Sequence, residues 1–290
     1  MSRLGIFVDR KTLSSAEQLH ALIRCRDVAE EMGHSAEFLF SVDTRKIPAM
    51  DALFIRARTD PLNVTYVASR MAEADGIPVI DDPDSIRICS DKVNMYSRLM
   101  QHGVPIPRTL FISRHDLPLP RIREIFGEIG SPIILKEPST SFSLRVEKVN
   151  NPGEFLQVAR RFFRMSDWIV AQQFVESRYD WRVGVLDGEL LYVCKYMIPD
   201  ATFKIQDSVN GHVVYCAVES IPADQAPSRV ILTGIQAARA IGSGLYGVDL
   251  KSDNGDCTVI EVNDNPSLEG GEDGCYPLVY QAIISHLLER

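Results

Sequence analysis

Gly247-Val248-Asp249-Leu250, a turn at Asp253-Asn254-Gly255-Asp256, and then Glu261-Val262-Asn263-Asp264-Asn265-Pro266 form the stretch whose reading decides the fold. Two short apolar runs around an Asn-Gly turn signal read as a β-hairpin. Val259, Ile260 and Val262 alternate with Glu261 and Asn263, so a strand period of two sends both polar side chains to one face. The register decides whether Asp249 joins them. A strict two-residue loop would pair Asp249 with Ile260 and turn Glu261 away. A three-residue loop with Gly255 in the left-handed region makes a bulge and pairs Asp249 with Glu261 instead, and this second register is expected.

In that register two carboxylates and a carboxamide converge. Hard divalent cations take oxygen ligands, and Mg²⁺ is usually held by one or two carboxylates together with the phosphates of a nucleotide. Asp249, Glu261 and Asn263 are therefore the candidate metal ligands. A solvated acidic hairpin is the competing reading, since residues 245–275 carry eight acidic side chains against one lysine.

The rest of the chain bounds these readings. Its 290 residues are enough for two or three lobes, and its 45% hydrophobic and 24% charged content is that of an ordinary globular protein. A net charge of −8 without a Lys/Arg run excludes a nucleic-acid surface, so any phosphate site must concentrate positive charge locally. No apolar run has the length of a membrane span and the N-terminus does not read as a leader, so a cytoplasmic location is expected. The six cysteines show no C-x-x-C pair and no close histidine, which suits reduced, mostly buried thiols.

Strand and helix patterns alternate over residues 1–85: strands at 4–8, 36–40, 52–55 and 78–80, helices at 15–32 and 64–74. This order predicts a small parallel-sheet α/β domain, without a G-x-G-x-x-G fingerprint. Asp81-Asp82-Pro83 marks its end. A helix over 91–101 capped by Ser90 follows, then strands at 109–112, 133–136, 145–149 and 168–172 and helices at 119–129 and 152–164, making one α+β lobe. A second lobe has strands at 181–186, 189–197 and 213–218, a polar loop at 199–212, a helix at 227–241, the hairpin, and a last helix at 276–288.

Several further residues could carry chemistry. Lys136 ends an apolar strand beside the hydroxyl-rich loop Ser139-Thr140-Ser141-Phe142-Ser143, an arrangement suited to phosphate, although lysines after strands are commonly solvated. Lys92 opens a helix and has the same two readings. Gln172-Gln173-Phe174-Val175 could pair with an adenine edge and Asp180 with ribose hydroxyls; Asp180 and Arg182 share a strand face and could equally form a surface ion pair. Lys195 and Lys204 bracket the polar loop and could meet a triphosphate.

In this order the motifs resemble the ATP-grasp superfamily, and within it the RimK-type carboxylate–amine ligases. The resemblance is carried by Asp91-Lys92 with Gly103-Val104-Pro105-Ile106-Pro107, by 133–136, by 172–175 with Asp180 and Arg182, and by the hairpin. It implies an ATP-grasp domain over 86–290, nucleotide between lobes 86–172 and 173–290, preceded by the α/β domain 1–85. Lys92 and Lys136, with Ser141 and Ser143 of the loop, would hold ATP phosphates; Gln173 and Phe174 would bind adenine mainly through the backbone, and Asp180 the ribose. Asp249, Glu261 and Asn263 would hold one or two Mg²⁺ or Mn²⁺ ions. Arg182 would lie near the transferred phosphate or the carboxylate substrate and Lys204 would contact phosphate, with Asn265 and Arg56 facing the acceptor side.

The implied activity is ADP-forming ligation of a carboxylate to an amine, or to a thiol, through an acyl phosphate. The substrates would be small molecules or peptides, and homo-oligomerisation stays open. A kinase of the same fold and a non-catalytic nucleotide-binding module are the alternatives. Two departures stand out. Residues 137–146 contain no glycine where the family's phosphate loop is usually glycine-rich, with Leu144-Arg145 in place of small residues. Lys204 replaces the commoner arginine and lacks the Arg-Asn-Gly-rich surroundings of glutamate-adding members, so glutamate is not implied as substrate.

Overall fold

Strands β1 (Arg3–Phe7), β2 (Ser35–Leu39), β3 (Ala52–Ile55) and β4 (Val79–Ile80) form a parallel sheet in the order β2-β1-β3-β4, covered by helices α1 (Ala16–Glu31) and α2 (Val64–Ala74). The computed structural model describes every residue except 141–143, 200–205, 210–211, 254 and 290, and the backbone alone of 206–209, 212–215 and 253. Ser15 caps α1 by accepting from the Gln18 amide, and Gly33, at φ +85°, ends the helical stretch.

Past the Asp81-Asp82-Pro83 boundary lies a helix that the patterning does not reveal, α3 (Pro83–Cys89). Asp82 caps it and Pro83 takes the first turn, where a missing N–H costs nothing. Helix α4 (Lys92–Gln101) is capped by Asp91, whose carboxylate accepts from the Asn94 amide, and not by Ser90. The first lobe is the antiparallel sheet β5-β8-β6-β7, built from β5 (Thr109–Ile112), β6 (Ile133–Lys136), β7 (Val146–Val149) and β8 (Ile169–Gln173). Helices α5 (Leu119–Ile129) and α6 (Pro152–Phe162) cover one face, burying Ile133 and Leu135, so the period of two turns Ile134 and Lys136 to the other.

The second lobe is an antiparallel sheet ordered β13-β10-β9-β14-β15, from β9 (Tyr179–Leu186), β10 (Glu189–Met197), β13 (Val218–Ser220), β14 (Leu245–Asp253) and β15 (Asp256–Asn263). The stretch expected as a polar loop includes β11 (Gln206–Val209), which pairs with β12 (His212–Tyr215) as a separate hairpin. The strand expected at 213–218 is thus divided between β12 and β13. One face of the large sheet, through Val183, Val185, Val248 and Leu250, packs on α4 and on α7 (Ser228–Ile241). The other face, through Tyr192, Cys194 and Tyr196, shares a core with Leu4, Ile6 and Phe54 of the first sheet and with α8 (Val279–Leu288). Among the described residues no helix is long and apolar enough to cross a membrane. The six cysteines are free; Cys25, Cys194 and Cys257 are buried and Cys275 is exposed.

Candidate active site

The hairpin reaches the expected pairing by a different route. Asp253 pairs with Asp256 across a two-residue connection, with Gly255 at φ +90°, so the turn itself carries no bulge. The extra residue is further up: Leu250 pairs with Val259 but Asp249 with Glu261, leaving Ile260 without a strand partner. A bulge at Ile260 reverses the facing of everything beyond it. Val259 is thereby buried in the core beneath α7, while Glu261 and Asn263 turn toward Asp249.

Three neighbouring strands load one face of the sheet. Asp249 lies opposite Arg182 of β9, whose Nε and Nη2 donate to both carboxylate oxygens at 2.5 and 2.9 Å. Asn263 Nδ2 adds a donor to Asp249 at 3.2 Å. Gly247 permits this approach, because a Cβ there would lie 2.7 Å from Pro266 Cβ and 2.9 Å from Arg182 Nη1. The Arg182 guanidinium also stands 4.8 Å from the Tyr196 ring centre, and the Tyr196 hydroxyl donates to the buried Glu272. Burial pushes the Asp249 carboxyl above its ordinary value, and Arg182 opposes that shift.

Asp180 and Arg182 share a face, as expected, but each takes a different partner. The buried Lys251 amine donates to Asp180 at 2.5 Å. Burial raises the Asp180 carboxyl, with Lys251 the largest opposing influence. Neither pair is the surface ion pair that the bare sequence allowed. Lys251 escaped the sequence reading, although its position two residues after Asp249 on the same strand was a usable signal.

Lysines approach the same place from the other elements. Lys92, at the start of α4, is buried; its amine is 3.6 Å from Glu261 Oε1 and donates to the Thr140 carbonyl. Lys136 is also buried and donates to the Tyr96 hydroxyl at 2.7 Å. Burial lowers the Lys136 amine to about 8 against the pull of Glu261, Asp180 and Asp249. Neither lysine is solvated. Lys92, Lys136, Arg182 and Lys251 thus meet Asp180, Asp249 and Glu261, so an otherwise acidic chain gathers four cationic side chains at one place.

The adenine-edge segment is partly engaged already. The Gln173 amide donates to the Arg108 carbonyl at 2.8 Å and the Phe174 amide to the Pro132 carbonyl at 3.3 Å. Gln173 and Val175 nevertheless line a cavity of about 230 Å³ with Ile106, Pro107, Lys251 and Thr258. On the first domain, Arg56 Nη1 donates to Asn265 Oδ1 at 2.5 Å, and Asn265 Nδ2 to the Ala57 carbonyl at 2.7 Å, so these two acceptor-side candidates do meet. Lys195 does not join the site: its amine lies 4.7 and 4.9 Å from the Tyr179 and Trp181 ring centres. Lys204, Ser141 and Ser143 fall outside the described residues. Where the loop lacks glycine, Arg145 itself takes the left-handed conformation, φ +52°, and its carbonyl accepts from the Glu137 amide.

Two carboxylates and an amide suit Mg²⁺ in ligand type. Glu261 is a third exposed and the Asn263 amide donates through its nitrogen, which leaves its oxygen for a cation. Asp249 is the constrained member, since Arg182 already bonds both of its oxygens.

A family model described as the RimK-like ATP-grasp domain matches residues 89–276. Among curated relatives, a probable alpha-L-glutamate ligase of Shewanella loihica is 23% identical over 280 residues, spanning 90% of this chain and 88% of its own. The probable alpha-L-glutamate ligase 1 of Shewanella denitrificans is 24% identical and spans 95% of both. Among solved structures, D-alanine–D-alanine ligase from Bacillus anthracis superposes with a TM-score of 0.74 at 15% identity, covering 100% of this chain and 98% of its own. A RimK domain ATP-grasp protein of Sphaerobacter thermophilus gives 0.72 at 18% identity, covering 99% and 100%. At these identities the structural likeness establishes the ATP-grasp fold.

Proposed function

The chain belongs to the RimK-like ATP-grasp family, and we propose that it is an ATP-dependent ligase that joins a carboxylate to an amine through an acyl phosphate. The observation that carries this reading is the convergence of Asp249, Glu261 and Asn263 from one hairpin with Lys92 and Lys136 from α4 and β6.

In this reading the Lys92 and Lys136 amines turn their remaining N–H donors to phosphate oxygens, Lys136 keeping its bond to the Tyr96 hydroxyl. Asp180 and Lys251 stand where the ribose would lie, and the cavity beside Gln173 and Val175 takes the base. Asp249, Glu261 and Asn263 would hold Mg²⁺, whose charge would offset that of the phosphates. The substrate carboxylate attacks the γ-phosphorus and ADP leaves; the neutral amine then attacks the acyl carbon, and phosphate leaves with the proton that the nitrogen loses. Negative charge shifts across the phosphoryl oxygens in the first step and onto the acyl oxygen and departing phosphate in the second, so fixed cations and positioning supply the catalysis, with no protein nucleophile required. Arg56 and Asn265, tied together at the edge of the first domain, face the acceptor side. Amino acids or short peptides are the proposed substrate class.

The test is release of phosphate and ADP from Mg-ATP, quantified in parallel across pools of amino acids, dipeptides and small carboxylic acids. Equimolar ADP and phosphate that depend on a pool, abolished by Glu261→Gln, is the expected result. ADP without phosphate would replace ligation by phosphoryl transfer to a hydroxyl. Full activity in Glu261→Gln would remove the metal assignment.

A further inference from the structure

Tyr96 is fully buried on α4, one helical turn after Lys92, and so lies on the same helix face. Its hydroxyl is a junction of three elements. It accepts from Lys136 Nζ of β6 at 2.7 Å and donates to the Ile260 carbonyl of β15 at 2.5 Å, with Gln172 Oε1 of β8 at 3.3 Å. Gln172 is itself fixed by donating to the Thr109 hydroxyl at 2.8 Å. Ile260 is the residue that the bulge leaves unpaired.

The location matters because β15 is an edge strand. Its outer groups are met by α4 and the segment after it: the Val259 amide donates to the Pro105 carbonyl and the Val262 amide to Met95 Sδ. A carbonyl without a donor is costly even where half-buried, and the bulge leaves that of Ile260 to be met by a side chain. Tyr96 does so at Ile260. Without that bond the unbulged register gains relative to the bulged one, and the unbulged register carries Glu261 away from Asp249.

We propose that Tyr96 is a positioning residue that holds the Ile260 bulge and Lys136 together, so that the metal ligands and a phosphate-binding lysine are set by one hydroxyl. This inference rests on the nucleotide-binding reading of the site. It adds that Tyr96, which touches no expected ligand, determines Mg²⁺-dependent affinity.

The experiment is calorimetric titration of the full chain with ATP, once in EDTA and once in Mg²⁺, for wild type, Tyr96→Phe, Glu261→Gln, their double variant and Leu99→Ala. The ratio of the two Kd values reports the metal site, and the EDTA value reports the lysines. Wild type should bind ATP more tightly with Mg²⁺, and Glu261→Gln should lose that gain. Tyr96→Phe keeps the ring and removes only the hydroxyl; it should lose about 10-fold of the Mg²⁺ effect, the low end for an outer-shell partner, since it acts on Glu261 through the adjoining Ile260 carbonyl. It should also weaken binding in EDTA, and in the double variant it should reduce the Mg²⁺ effect little beyond Glu261→Gln alone. Leu99, buried on the same helix, is the control for lost packing, and Leu99→Ala should lower thermal stability while keeping the Mg²⁺ effect.

An unchanged Mg²⁺ effect in Tyr96→Phe, or an equal loss in Leu99→Ala, overturns the inference while the nucleotide reading stands. Wild type that binds no ATP, or binds it without regard to Mg²⁺, overturns the reading itself.

Discussion

Replacing Arg182 by methionine tests the electrostatics of the site most directly. The substitution keeps much of the aliphatic stem and removes the guanidinium from a bidentate pair in which both side chains are nearly inaccessible, 7% and 4% exposed. Among the described residues Asp249 would keep only the Asn263 donor at 3.2 Å, in surroundings that already raise its pKa by burial. Breaking one half of such a pair costs about 3–5 kcal/mol, because a buried charge is left uncompensated. At roughly 2–3 °C per kcal/mol for a chain of this size, the melting point should fall by about 10 °C.

The pH dependence has a definite sign. Without Arg182 the folded-state pKa of Asp249 rises further above its unfolded value, so the folded chain binds more protons across that window. Stability then falls as pH rises through it, and the deficit of the variant shrinks on acidification. Thermal denaturation in EDTA at about pH 5 and pH 8 measures both quantities. Asp249→Asn in the Arg182→Met background should recover part of the loss and flatten its pH dependence. A loss under about 1 kcal/mol, as for an exposed pair, or a deficit indifferent to pH, would refute a buried, mutually dependent pair.

Lys136 should make nucleotide affinity sensitive to mild alkali. Its amine loses its proton near pH 8 rather than at the ordinary lysine value, so the ATP Kd measured in EDTA should rise as pH passes about 8, and Lys136→Arg should remain flat through that range. Because the folded pKa lies below the unfolded one, the same group makes stability rise with pH between the two values, which denaturant titrations can follow. Gly247→Ala should cost about 1–3 kcal/mol by overpacking and displace Arg182 from Asp249, so urea midpoints and the Mg²⁺ effect on ATP binding should fall together. Lys251→Met should destabilise the chain by stranding Asp180, whereas the paired change with Asp180→Leu should be close to neutral for stability; an equally unstable double variant would contradict the buried pairing.

Local chemistry was legible in the sequence wherever one element sufficed. Alternation fixed β6 and its exit at Lys136, the spacing 249/261/263 identified the converging donors, and the helix expected over 91–101 is capped one residue from the expected Ser90. Helix α3 was missed because the helix that the boundary proline opens is only seven residues long, too few for a periodic pattern. The bulge was assigned to the turn, since glycine favours left-handed backbone, yet it occurs at Ile260, a residue with no such signature.

What the sequence alone determined is therefore most of the inventory: the longer elements, their order, and which side chains lie on which face of an unbulged strand, all properties of a period of two or 3.6. What only the tertiary structure decided is the set of partners. Asp180 is bound by Lys251, 71 residues away, Asp249 by Arg182, 67 away, and Lys136 by Tyr96, 40 away. Such pairings depend on sheet order and on where the edge strand finds its outer hydrogen bonds. The Ile260 carbonyl finds its donor on α4 rather than on another strand, and that contact between distant segments fixes the register that brings Glu261 to face Asp249.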